Sequence, residues 1–227
     1  MHLQQRVAGE GFAIIPSVFS STEIKNISEQ LMQPAFRRSR AGARHILFHP
    51  AVESLALDSR LLHCAQDVLG PNAFPFRATL FDKSASANWL VVWHQDTALP
   101  LRERRETPGW GPWSIKEGIH YAHAPASALS QVLALRIHLD ESTAANGPLR
   151  VLPGTHNLGV LSDDAVHDLA AKIPPVDCLV PTGGLLAMRP LVIHASSKSQ
   201  ISLPRRVLHI EYAASLSIAA PLELASA

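Results

Sequence analysis

Cysteine is scarce, with only Cys64 and Cys178 among 227 residues. Neither belongs to a C-x-x-C pair, which argues against a zinc ribbon or a disulfide framework and fits a reducing, cytoplasmic setting. An excess of one charge is also missing: 20 basic and 19 acidic residues leave a formal net charge of +1. That balance excludes the broad electrostatic footprint of a nucleic-acid binder and a polybasic membrane anchor. No apolar run is long enough to span a bilayer. Met1-His2-Leu3-Gln4-Gln5-Arg6 leads into no apolar segment, so no secretory signal is expected. Internal repeats and low-complexity tracts are absent. The composition reads as one enzyme-sized domain over 1–227, and 47% hydrophobic residues are enough for a sizeable core.

The chain opens with a short apolar strand, Phe12-Ala13-Ile14-Ile15, stopped by Pro16. Ser20 and Glu23 form an S-x-x-E capping box before Ile24, Ile27 and Leu31 at helical spacing. The spacing predicts a second helix over 52–69, ended by Gly70-Pro71. Strands are predicted at 76–82, 89–94, 131–139, 149–152, 176–180, 185–188, 190–194 and 206–212, separated by Pro, Gly, Asn and Ser clusters. That pattern is mainly β with helices near the N-terminus, and it suits a jelly roll. Residues 97–130 lack clear periodicity and are too long for an ordinary connection, so a lid is expected there. All four tryptophans lie between 89 and 113. Trp110 and Trp113 either plug the end of the barrel or contact substrate.

His94-Gln95-Asp96, with His194 98 residues after Asp96, is the strongest chemical signal. Two imidazoles and one carboxylate are the donor set of a mononuclear non-haem Fe(II) centre, which leaves one metal face open. On a strand, positions i and i+2 point the same way, so His94 and Asp96 can grip one ion while Gln95 points elsewhere. With twelve histidines in the chain, an H-x-D tripeptide carries little weight alone, and a second occurs at His138-Leu139-Asp140. There Asp140 starts a turn towards Asn146-Gly147, which suits a capping role.

Context separates the two. The blocks Trp93-His94-Gln95-Asp96, Asn146-Gly147-Pro148-Leu149-Arg150-Val151-Leu152-Pro153-Gly154-Thr155-His156, His194-Ala195-Ser196 and Pro204-Arg205-Arg206 occur in this order. Together they resemble the phytanoyl-CoA dioxygenase family, from about Gly11 to about Tyr212. The resemblance implies a double-stranded β-helix, a cupin-like jelly roll with helices outside. It also implies Fe(II) on His94, Asp96 and His194, with 2-oxoglutarate and O2 as co-substrates. Arg205, eleven residues after His194, stands where the family binds the distal carboxylate of 2-oxoglutarate, and Ser196 stands where a hydroxyl shares it. Thr79 is a further co-substrate contact by resemblance, and His156 keeps a structural role. The implied reaction is oxidation, chiefly hydroxylation, of a C–H bond in a small molecule, with release of succinate and CO2.

Other residues keep open readings. Arg136 interrupts an aliphatic strand, and a buried charge needs an anionic partner. That partner is 2-oxoglutarate, the substrate, or a structural carboxylate. Lys83 is a second anion contact or a surface lysine. Gln95, Lys83, Trp110 and Trp113 are the substrate-contact candidates. Arg206 is assigned to a surface ion pair. His120 and His123, in the expected lid, read as solvated. Two rival classes remain: a cupin-like metal-dependent isomerase or hydrolase, and a non-catalytic binding module on the same fold. Neither the substrate nor the oligomeric state is legible.

Overall fold

A computed structural model describes residues 2–31, 42–84, 87–219 and 221–227. In chain order the first half contains α1 (Leu3–Glu10), β1 (Phe12–Ile15), α2 (Ser21–Leu31), β2 (Gly42–Ala43), α3 (Pro50–Ala56), α4 (Ser59–Leu69) and β3 (Phe74–Lys83). Next come β4 (Val91–His94), β5 (Ala98–Leu101), β6 (Trp113–Lys116), β7 (Ile119–His123), α5 (Ala126–Leu129) and β8 (Val132–His138). The remainder is β9 (Leu149–Val151), α6 (Asp163–Lys172), β10 (Val176–Cys178), β11 (Leu185–Met188), β12 (His194–Ser196), β13 (Arg205–Ala213), β14 (Ser217–Ala219) and β15 (Leu222–Glu223).

Two antiparallel sheets form the body, ordered β1-β11-β8-β13-β3-β2 and β10-β9-β12-β4. This is the expected double-stranded β-helix with N-terminal helices. Alternation along each strand divides the large sheet into two faces. Ala78, Leu80, Leu133, Leu135, Ile137, Leu208, Ile210 and Tyr212 face outward and pack against Val7, Ile24, Leu31, Val52, Leu61 and Ala65 of the helices. Phe12, Ala134, Leu186 and Met188 face inward and meet Leu149, Val151 and Cys178 of the small sheet.

The capping box forms as expected: the Ser20 backbone N–H donates to Glu23 at 2.8 Å, and the Glu23 N–H donates to the Ser20 hydroxyl at 3.3 Å. Three expectations need correction. The helix predicted over 52–69 is two helices, because Asp58 accepts from the Arg60 N–H and starts a new one. The strand expected at 190–194 begins only at His194, since Pro190 interrupts the ladder and leaves its carbonyl to accept from Asp96 N–H at 2.9 Å. Residues 97–130 are not structureless: they hold the three-stranded sheet β5-β7-β6 and α5. Leu99, Leu101, Trp110, Ala122 and Leu129 are buried there in one apolar cluster with Leu222 and Leu224. No helix among the described residues is long and apolar enough to cross a membrane.

Candidate metal and co-substrate site

His94 ends β4 and His194 starts β12, and the two are direct cross-strand partners. Their ring centroids lie 4.2 Å apart. Asp96 sits just past β4, with Oδ1 3.7 Å from His94 Nε2 and Oδ2 3.6 Å from His194 Nε2. One donor atom from each residue falls within 4.8 Å of the others. Backbone carbonyls fix the tautomers. Val92 O lies 2.8 Å from His94 Nδ1, and Val192 O lies 2.9 Å from His194 Nδ1. A carbonyl can only accept, so each Nδ1 carries the proton and each Nε2 lone pair faces the site. This is the outer-shell arrangement that orients metal-binding histidines. Burial pushes His194 down to about 4, leaving it neutral and free to coordinate at neutral pH. Burial also opposes charge on His94, but Asp96 outweighs it and raises that histidine. Burial disfavours the Asp96 carboxylate, yet His194 and His94 hold it below the usual carboxylate range.

Gln95 points away from this face. Its amide donates to Gly159 O at 2.9 Å and Leu191 O at 2.8 Å, and its oxygen accepts from Leu161 N–H. It staples two loops, with both ends of its amide engaged by backbone.

The inward face of β3, β13 and β8 is polar. Cross-strand register sets Lys83 beside Arg205, His209 between Thr79 and Arg136, and Arg77 beside Glu211. Lys83, Arg136 and Arg205 are 1%, 7% and 5% exposed, a depth at which unpaired charge is costly. Lys83 Nζ donates to Ser196 Oγ at 2.9 Å and Ser197 O at 2.6 Å, while Arg205 Nη2 donates to Ser196 Oγ at 3.2 Å. Ser196 in turn donates to Gly147 O at 2.9 Å. Arg136 donates to His209 Nδ1 at 2.8 Å. Neither Lys83 nor Arg205 has a carboxylate partner among the described residues, and the Nε atoms of Arg205 and Arg136 have no hydrogen-bond partner. Burial, then Arg205, pushes Lys83 down to about 8. Burial, then Arg136, pushes Arg205 down to about 10. Three cations held at depth, with orphaned donors, fit a dianion such as 2-oxoglutarate. Lys83 is buried beside Arg205, so the surface-lysine reading is corrected.

A single match decides the family. The model described as "Phytanoyl-CoA dioxygenase (PhyH)" matches residues 8–207. The chain belongs to the phytanoyl-CoA dioxygenase family. Among curated relatives, an L-proline trans-4-hydroxylase of Streptomyces griseoviridis is 26% identical over 178 residues, covering 67% of this chain and 59% of the relative. An ectoine dioxygenase of Sphingopyxis alaskensis is 23% identical, covering 65% of this chain and 46% of the relative. The chain thus spans less than two thirds of either relative. The crystal structure of AviO1 from Streptomyces viridochromogenes Tue57 superposes with a TM-score of 0.67 at 22% identity, covering 93% of both chains. This supports the fold within the family.

Other expectations resolve by position. Thr79 lines a cavity with Phe81, Asp96 and His209. Trp110 is buried in the apolar cluster and Trp113 packs on it, so both plug the fold and neither lines that cavity. The second H-x-D is split. His138 is buried with both ring nitrogens unpartnered, whereas Asp140 accepts a fork from Arg206 at 2.6 and 2.7 Å. Arg206 is thus paired as expected, though partly buried rather than on the open surface. His156 Nε2 donates to Ala8 O at 3.1 Å, a structural bond. Sequence reasoning missed Arg77, Glu211 and His209. The signal was their parity: they alternate with the core residues Ala78, Leu208 and Ile210 on strands otherwise buried.

Proposed function

We propose that this chain is an Fe(II)- and 2-oxoglutarate-dependent dioxygenase that hydroxylates a C–H bond of a small molecule. One observation carries the reading: the His94, Asp96, His194 cluster adjoins three buried cations that lack a carboxylate counter-ion among the described residues. His94 and His194 offer Nε2 and Asp96 one carboxylate oxygen, which leaves half of an octahedral metal's coordination shell to non-protein ligands. When bound, iron would activate O2 as the oxidant, with 2-oxoglutarate giving up two electrons as it is converted to succinate and CO2. Arg205 and Lys83 hold the distal carboxylate from two sides, and Ser196 completes the cradle. Arg136 adds positive potential and orients His209. The two sheets exclude water from this chemistry. The β5-β7-β6 sheet begins directly after Asp96 and covers the substrate mouth as a built lid. Three buried cations beside the metal ligands are what binding a keto-acid dianion requires, which favours the oxygenase reading over a metal-dependent isomerase or hydrolase.

Purified protein supplied with Fe(II), 2-oxoglutarate and O2 but no substrate is expected to release succinate slowly. The release should stop when iron is chelated. Iron-independent release, or none at any 2-oxoglutarate concentration, would refute the assignment.

A further inference from the structure

The cavity that holds Thr79, Phe81, Asp96 and His209 has a further polar wall, formed by Arg44, His45, Arg77, Lys116, Tyr121 and Glu211. The volume of this chamber is about 150 Å³. His45 Nε2 lies 2.8 Å from the Tyr121 hydroxyl, and His45 Nδ1 lies 3.3 Å from Glu117. His45 and Glu117 have φ of 54° and 51°, and they are the non-glycine positive-φ residues of the described chain. Such strain persists only where the surroundings enforce it, and it concentrates at functional sites. Here two strained residues from distant segments meet across one wall. Arg77 is neutralised by a fork to Glu211. Arg44 and Lys116 are exposed at this rim and have no carboxylate ion pair among the described residues; the Lys116 ammonium lies 4.8 Å from the Tyr121 ring centre and feels the charge of Asp96. Bound metal would neutralise Asp96 and leave these two cations in excess.

We propose, resting on the oxygenase reading above, that this chamber takes a compact substrate carrying a carboxylate, which Arg44 and Lys116 bind while it lies against Tyr121. Two cations at one mouth supply charge-assisted hydrogen bonds to a single anion. Glu117 rims the same space and repels a phosphate dianion more strongly than a carboxylate. The volume lies below the roughly 300–1,000 Å³ of pockets for drug-sized ligands, which disfavours a coenzyme A thioester.

The test uses iron- and 2-oxoglutarate-loaded protein without oxygen, in equilibrium dialysis read by mass spectrometry. The probes are amino acids and other short carboxylic acids, their primary amides, matching phosphate monoesters and an acyl-coenzyme A thioester. At least one acid should be retained and its amide should not. Arg44→Gln and Lys116→Gln should each weaken that retention by about tenfold or more, as expected for loss of a charge-assisted bond. Both variants should keep the wild-type thermal midpoint and 2-oxoglutarate affinity. Equal retention of acid and amide, retention unchanged by either variant, retention only of phosphate esters or the thioester, or retention of no acid would each overturn the proposal. The oxygenase reading fails separately, by absence of a visible iron–2-oxoglutarate band in the wild-type protein before any probe is added.

Discussion

Ser196 is gripped from two sides by cations, and its neighbours Lys83 and Arg205 differ in how far charge can be withdrawn from them. Lys83 falls to about 8 in the folded protein, from 10.5. Between those values the unfolded chain holds a proton that the folded chain has lost, so the co-substrate-free protein gains stability as pH rises through that window. A dianion needs the charged ammonium, so 2-oxoglutarate affinity should fall as pH rises past about 8. Calorimetric titrations on both sides of that pH should show the fall in wild type and its loss in Lys83→Met. An unchanged slope in the variant would remove Lys83 from the anion cradle. Arg205→Ala should weaken 2-oxoglutarate by about 10- to 150-fold, from roughly 1.5–3 kcal/mol for a charged hydrogen bond. Arg206→Ala breaks the fork to Asp140 instead, so it should lower the unfolding midpoint and leave 2-oxoglutarate binding near wild type. Equal binding defects in the two variants would mean the strand parity is misread.

At the scale of elements, the turn before β9 shows how a motif becomes a site. Gly147 has φ of 66°, and a Cβ there would meet Ser197 O at 2.3 Å. Gly147→Ala should therefore displace β12 and Ser196, costing both stability and 2-oxoglutarate affinity in denaturation and binding measurements. Loss of neither would show that the turn has slack. The helix-side face of the large sheet was legible because Leu80, Leu135, Leu208 and their neighbours alternate strictly. The H-Q-D and N-G-P-L-R blocks were legible because chemistry and backbone geometry restrict them. The β5-β7-β6 sheet was not. β5 is an edge strand carrying Pro100, tolerated there because an edge strand can spare a donor, and β6 is largely solvent-facing, so neither shows a period of two. The chamber residues Arg44, His45, Lys116 and Tyr121 were invisible for another reason: segments far apart in sequence bring them together. Within this sheet, Leu101→Ala should cost about 2–5 kcal/mol as a core truncation. Arg102→Ala, which breaks an exposed pair with Glu223, should cost at most about 1 kcal/mol. Urea unfolding of the two variants separates a packed sheet from a loose flap, for which both would cost little.

On the scale of the whole molecule, the inward face of the large sheet serves one metal-binding cluster twice. Its Lys83, Arg136 and Arg205 are buried without a carboxylate ion pair among the described residues, and its Arg77, Thr79, His209 and Glu211 form one wall of the chamber under β6 and β7. Helices α1 to α4 play no direct part; they cover the outward face of the large sheet and so permit a polar interior on its other face. The proposed activity requires the three ligands and the cation cradle to act on one metal-bound keto acid. The most direct measurement is an anaerobic titration of Fe(II)-loaded protein with 2-oxoglutarate, followed by visible absorption. A weak charge-transfer band should grow to saturation in wild type. It should be absent in Asp96→Ala and His194→Ala, and it should need far more 2-oxoglutarate in Arg205→Ala. No band in wild type, or a full band in Asp96→Ala at wild-type concentrations, would contradict the account.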